Sequence, residues 1–83
     1  MTERADLYLG WFMSIPDEPD CLIAYAQLNG VPFVVIVHLE CGAVGITSID
    51  EENEENFEEK VVPWLDYITD MVHCKLLLDM KLN

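Results

Sequence analysis

Basic side chains are nearly missing from this chain, with 4 Lys and Arg against 16 Asp and Glu and a net charge of −12 over 83 residues. A field of that sign repels phosphate backbones and anionic headgroups, which disfavours direct binding to nucleic acid or to a membrane surface. Cysteine is scarce as well. Cys21, Cys41 and Cys74 are odd in number and show no framework-like spacing, so free thiols and a reducing, cytoplasmic setting are expected. The segment Met1-Thr2-Glu3-Arg4-Ala5-Asp6 has no basic region running into an apolar stretch, and no signal peptide is expected. The longest uncharged apolar runs fall short of the roughly 20 residues that span a bilayer.

Motifs that carry chemistry are also lacking. There is no G-x-x-x-x-G-K and no G-x-G-x-x-G to cradle a phosphate. Ser14, Ser48, Cys41 and the two histidines sit in no nucleophile-elbow or triad context. The acidic stretch from Asp50 to Glu59 lacks the alternating oxygen ligands and central Gly of a calcium loop. A glycosidase-like carboxylate pair needs a walled cleft, for which a chain this short has little room. His38, Cys41, His73 and Cys74 have the donor types that zinc takes. Their spacing argues against a site, because adjacent His73 and Cys74 diverge on any regular element and no C-x-x-C or H-x-x-x-H pair accompanies them. No enzyme, cofactor or metal is expected.

What the chain does have is a core. Its hydrophobic fraction is 52 %, gathered in continuous runs such as Phe33-Val34-Val35-Ile36-Val37. Disorder, the usual fate of strongly charged chains, needs the opposite composition. The length bounds a single domain, 1–83, and a chain of this size buries only about 60 % of its unfolded surface, so the packing has to be dense.

Aromatic-rich Ala5 to Ile15 predicts a first strand, ended by the Pro16-Asp17-Glu18-Pro19-Asp20 loop. Cys21 to Leu28 and Val31 to Glu40 flank Asn29-Gly30, the strongest short-range hairpin signal, since both turn positions want positive φ. Pro32 cannot donate to a ladder and belongs at a strand start or facing solvent. Cys41-Gly42 reads as a turn and Ala43 to Ser48 as a fourth strand. Ser48-Ile49-Asp50-Glu51 suggests a capping box, with a helix beginning near Asp50. Phe57, Val61, Trp64 or Leu65, Ile68 and Val72 then recur at helical spacing, with Pro63 marking either a kink or the first turn of a second helix. Leu76, Leu78, Met80 and Leu82 alternate with other residues, which predicts a final strand and leaves His73 at a helix C-terminus facing the macrodipole. The expected fold is α+β: an antiparallel or mixed sheet of about five short strands, ordered β-β-β-β-α-β, with one long helix on a face. Trp11, Phe12, Tyr25, Trp64 and Tyr67 are expected mostly in the core, with one or two of them at the surface as interface anchors.

Seven of the ten residues from Asp50 to Glu59 are acidic: Asp50, Glu51, Glu52, Glu54, Glu55, Glu58 and Glu59. A solvated helix face accounts for acids near a helix start, where the macrodipole favours them. That reading stays open but is strained by Asp50/Glu54, Glu51/Glu55, Glu54/Glu58 and Glu55/Glu59, like-charge pairs four apart that each cost about 0.2–0.5 kcal/mol. Such carboxylates can imitate a phosphate backbone. The expected role is therefore an inhibitor or regulator whose acids, with Asp66, Asp70 and the anchor Tyr67, enter a Lys/Arg-lined groove of a nucleic-acid-binding complex. By physical type this is the DNA-mimic strategy of phage- or mobile-element-encoded anti-CRISPR and anti-restriction proteins. Two other roles suit the composition. One is a structural subunit or chaperone that docks, or forms a homodimer, through an apolar sheet face; the other is an immunity protein neutralising a basic toxin.

Overall fold

The structure, a computed structural model, describes residues 6–81 of the chain, with the side chains of 6–78. The hairpin at Asn29-Gly30 organises the sheet. Asn29 takes φ 51° and Gly30 φ 85°, the positive pair that a tight two-residue turn demands. On either side run β3 (Glu18–Leu28) and β4 (Val31–His38), paired antiparallel from Cys21 opposite His38 to Leu28 opposite Val31. Pro32 sits one residue into β4. The neighbouring strand β5 (Val44–Ser48) pairs with β4 only as far as Phe33, so no partner waits for the missing Pro32 N–H. The other flank of β3 is shared by β1 (Leu7–Leu9) and β2 (Met13–Ile15), both antiparallel to it, giving five strands among the described residues.

The single first strand expected over Ala5 to Ile15 is thus two strands, with Ala5 outside the described residues. The break falls at Gly10, whose N–H donates to Tyr25 O at 2.8 Å and where an added Cβ would stand 3.0 Å from that same oxygen. Only glycine lets the backbone approach β3 so closely.

Helices cover one face. α1 (Glu54–Lys60) leads through a 3-10 turn at Val62–Trp64 into α2 (Leu65–Lys81). Pro63 lies in the first turn of that restart, where its absent N–H is not needed. The apolar stripe is largely as the spacing predicts: Phe57, Val61, Ile68 and Val72 are buried and Trp64 packs against them, while Leu65 stays exposed. Their partners are Ala26, Leu28, Phe33, Val35 and Val37 from the covered side of β3 and β4, with the Phe33 and Phe57 rings 6.2 Å apart.

Three expectations are corrected. The final strand over 76–82 does not form: α2 continues to Lys81, and Leu82 lies outside the described residues. From Lys75 onward the residues are mostly Leu, Lys and Met, strong helix formers with no β-branched side chain among them, and propensity outweighs a short alternation. His73 is consequently in mid-helix, not at a C-terminus; its Nε2–H donates to Gly42 O at 2.9 Å and ties α2 to the β4–β5 turn. The capping box is not made either. Ser48 Oγ donates to Asp50 O at 2.7 Å, Asp50 caps Asn53 instead, and α1 begins at Glu54. No helix among the described residues is long and apolar enough to cross a membrane.

Candidate functional site

The acidic segment is held in place at both ends. In the turn that precedes α1, Asp50 Oδ1 accepts from Asn53 N at 2.9 Å and from Asn53 Nδ2 at 2.8 Å, an Asx-type turn that fixes the approach to the helix. At the other end Phe57 and Val61 drive α1 onto the sheet, the only residues of the 50–61 stretch that are buried. With one face committed to the core, the acids have one direction left. Asp50, Glu51, Glu52, Glu54, Glu55, Glu58 and Glu59 are all exposed.

These seven do not act as one row. Asp50, Glu51, Glu54 and Glu58 line a groove of about 350 Å³ whose opposite wall is β5, through Ile46 and Ser48. Glu52, Glu55 and Glu59 lie outside it. β5 is an edge strand, so the groove runs beside a free backbone rim. Asp66 and Asp70 are exposed on α2, beyond the 3-10 turn, and line no part of the groove. Tyr67 is 36 % exposed and packs edge-on against Trp64 at 5.9 Å between ring centres, which fixes its ring at the surface of α2.

One basic side chain among the described residues, Lys75, is directed elsewhere. Among the described residues, the side-chain carboxylates of the 50–59 segment accept hydrogen bonds only from Asn53. Lys75 spends its ammonium on two backbone carbonyls, Leu9 O at 2.9 Å and Gly10 O at 2.8 Å.

A feature that spacing alone did not reveal is a small polar cluster at the far end of the β3–β4 ladder. Cys21 Sγ stands 3.2 Å from His38 Nδ1 and donates to Glu18 Oε2 at 3.4 Å. The pair follows from register, because Cys21 and His38 are directly opposed across the strands. Burial, reinforced by Glu18 and then Asp20, pushes the Cys21 thiol above its ordinary value of 9.0. A nucleophilic cysteine needs electropositive surroundings that lower it, so this pair is poorly tuned for thiolate chemistry. Among the described residues no three His, Cys, Asp or Glu side chains gather to hold a metal. His38, Cys41, His73 and Cys74 go separate ways: His38 to Cys21, His73 to Gly42, while Cys41 and Cys74 are exposed free thiols.

The aromatic residues also divide. Phe12 and Trp64 pack on the core as expected, but Trp11 at 81 %, Tyr25 at 40 % and Tyr67 are all exposed, three where one or two surface aromatics are expected. No protein-family model, curated protein or solved structure matches the chain.

Proposed function

We propose that this chain is an acidic protein-binding module that inhibits or regulates a nucleic-acid-binding enzyme by occupying its Lys/Arg-lined groove, as DNA-mimicking inhibitors of the anti-CRISPR and anti-restriction type do. One observation carries the proposal: seven exposed carboxylates stand on an ordered segment pinned from beneath by Phe57 and Val61. Order matters because a pre-shaped anionic surface loses little entropy on docking, unlike a disordered acidic tail.

The charge density is of the right size. Glu54, Glu55, Glu58 and Glu59 fall within six helical residues, which at about 1.5 Å per residue amounts to roughly one charge every 2 Å. Duplex DNA carries one per about 1.7 Å of axis. Repulsion between these acids, about 0.2–0.5 kcal/mol for each pair four apart, works against the fold and is consistent with a demand from outside it. The groove beside β5 brings Asp50, Glu51, Glu54 and Glu58 together along one cleft that an inserted cation could enter.

The test is a capture experiment from host lysate at low and high salt, followed by binding measurements on the captured protein. A four-site variant, Glu54→Lys, Glu55→Lys, Glu58→Lys and Glu59→Lys, is expected to lose binding while keeping its far-UV spectrum. Native binding is expected to weaken as salt rises. Partner binding that survives both the charge reversal and high salt removes the basis of the proposal.

A further inference from the structure

The helices cover one side of the sheet, and the residues on the other side are those of a strand pair buried twice. From Cys21 to His38 there is no Asp, Glu, Lys or Arg, in a chain where such residues make up 24 %. An antiparallel sheet with one face in water alternates apolar and polar residues; β4 reads Val-Pro-Phe-Val-Val-Ile-Val-His and does not. The register places Ile23 opposite Ile36, Tyr25 opposite Val34 and Met13 opposite Ile23 on the uncovered side, with Tyr8 alongside Tyr25 at 6.4 Å between ring centres. Met13 is 59 % exposed and Tyr8 56 %. Two of the polar side chains on this face satisfy each other, Gln27 Nε2 donating to Tyr25 Oη at 2.6 Å, and Cys21 and His38 stand 3.2 Å apart; Thr47, opposite Val34, joins them. Covering the face therefore strands few polar groups.

We infer that this face is closed by a second copy of the chain, the two sheets stacking with their helical layers outward. Three physical points favour a copy over a different partner. First, the area suffices: eight paired residues at about 3.4 Å along four strand rows about 4.8 Å apart give on the order of 500 Å² in projection per copy. A stacked pair then covers about 1,000 Å², the lower bound for a specific interface. Second, the charge is correctly placed. The acids of α1 and α2 belong to the helical layer, so stacking sets the two sets apart by two sheets, at least about 20 Å, against a screening length of about 8 Å at physiological salt. That arrangement keeps the helical acids away from the contact; Asp6, Asp17, Glu18, Asp20 and Glu40 belong to the strands of the sheet and the residues flanking them but lie outside its Cys21–His38 stretch. Third, the stretch from Cys21 to His38 brings no charged side chain to the face, with Asp6 and Glu18 only at its ends, so little there chooses a foreign partner, whereas an apolar patch that pairs with itself is what a two-fold interface requires. The inference is independent of what the acids bind.

Sedimentation equilibrium of the purified chain, from 1 to 100 µM in buffer without detergent or lipid, tests it. Twice the chain mass is expected, persisting from low to high salt because the contact is apolar. Ile36→Lys is expected to weaken the dimer at least about 100-fold by burying an unpaired ammonium. Met13→Lys, at an exposed position that folding tolerates, is expected to weaken it in the same direction, and Glu58→Lys is expected to leave it unchanged. If Ile36→Lys fails to fold, Met13→Lys together with amide exchange of β3 and β4 in native chain diluted below and concentrated above the midpoint decides. A chain that is monomeric throughout, as it would be if the face served a different protein, overturns the inference. So does a dimer that survives in folded face variants or dissolves in salt.

Discussion

Lys75 Nζ reaches from the middle of α2 to the carbonyl oxygen of Gly10, 2.8 Å away, and to that of Leu9 at 2.9 Å, spanning the chain from its last helix to the break between its first two strands. The same ammonium lies 5.6 Å from the Trp11 ring centre and 5.7 Å from that of Phe12. It holds the irregular segment that the close approach at Gly10 creates. Lys75→Met keeps the bulk and deletes the donors. It is expected to lower stability by about 1.5–3 kcal/mol, the range for hydrogen bonds from a charged group. Urea unfolding measures the loss, and amide exchange at Gly10 is expected to accelerate.

Gly30 holds φ 85° in the hairpin turn, a region in which a Cβ costs about 1–2 kcal/mol. Gly30→Ala is therefore expected to lower the thermal midpoint by about 4–8 °C per kcal/mol lost, as for other chains of this size. Asn29→Ala carries a second cost, because Asn29 Oδ1 accepts from Asp6 N at 2.8 Å and links the turn to the start of β1. The two variants together identify how far the turn, and not the ladder, sets the register.

Phe57 is the anchor of α1. Phe57→Ala is expected to cost about 3–5 kcal/mol, the usual range for emptying a core aromatic site. The loss should also release the acidic segment. Proteolysis near residues 50–60 is then expected to rise before global unfolding, while the same digestion of the native chain spares that stretch.

Glu58 and Glu59 occupy the last turn of α1, where the macrodipole is negative and each also faces an acid four residues earlier. Glu58→Lys with Glu59→Lys is expected to raise stability by about 1 kcal/mol, through relieved repulsion and a favourable dipole. The equivalent change at Glu54 and Glu55 places cations at the positive end and is expected to gain less. Comparing the two pairs by chemical unfolding separates helix electrostatics from net charge, which changes equally in both.

Cys21 is buried with its thiol pushed up by desolvation and by Glu18, whereas Cys41 and Cys74 are exposed. Its folded value lies above the unfolded one, so its contribution to stability is complete below pH 9 and fades as pH rises through the folded value. Cys21→Ala is expected to flatten the alkaline fall in stability. Alkylation of the native chain at pH 8 is expected to modify Cys41 and Cys74 and to reach Cys21 only on unfolding.

Local chemistry that demands a particular residue was legible in the sequence. Asn29-Gly30 announced its hairpin because only such residues tolerate positive φ, and Pro63, with no N–H to give, announced an interruption, a kink or a helix restart, of which the structure takes the second. Phe57, Val61, Ile68 and Val72 announced the covered side by their spacing. What escaped depended on the third dimension. The alternation after Lys75 resembled a strand until the lack of β-branched side chains prevailed. The Cys21–His38 contact needed the ladder register, and the reach of Lys75 to Gly10 joins residues too far apart in sequence for any pattern to link. Of the candidate acids, exposure of all seven between Asp50 and Glu59 followed from composition, but their division between a groove and open solvent depended on where β5 lies.

The outer rim of β5 offers unpaired backbone groups to any passing strand, the usual starting point for runaway sheet growth. Asp50, Glu51, Glu54 and Glu58 stand beside that rim, so two molecules meeting there must bring eight carboxylates together. Carboxylates in that position are expected to oppose strand addition at β5 by like-charge repulsion. A chain stripped of them should polymerise along β5 on standing, even with its core intact.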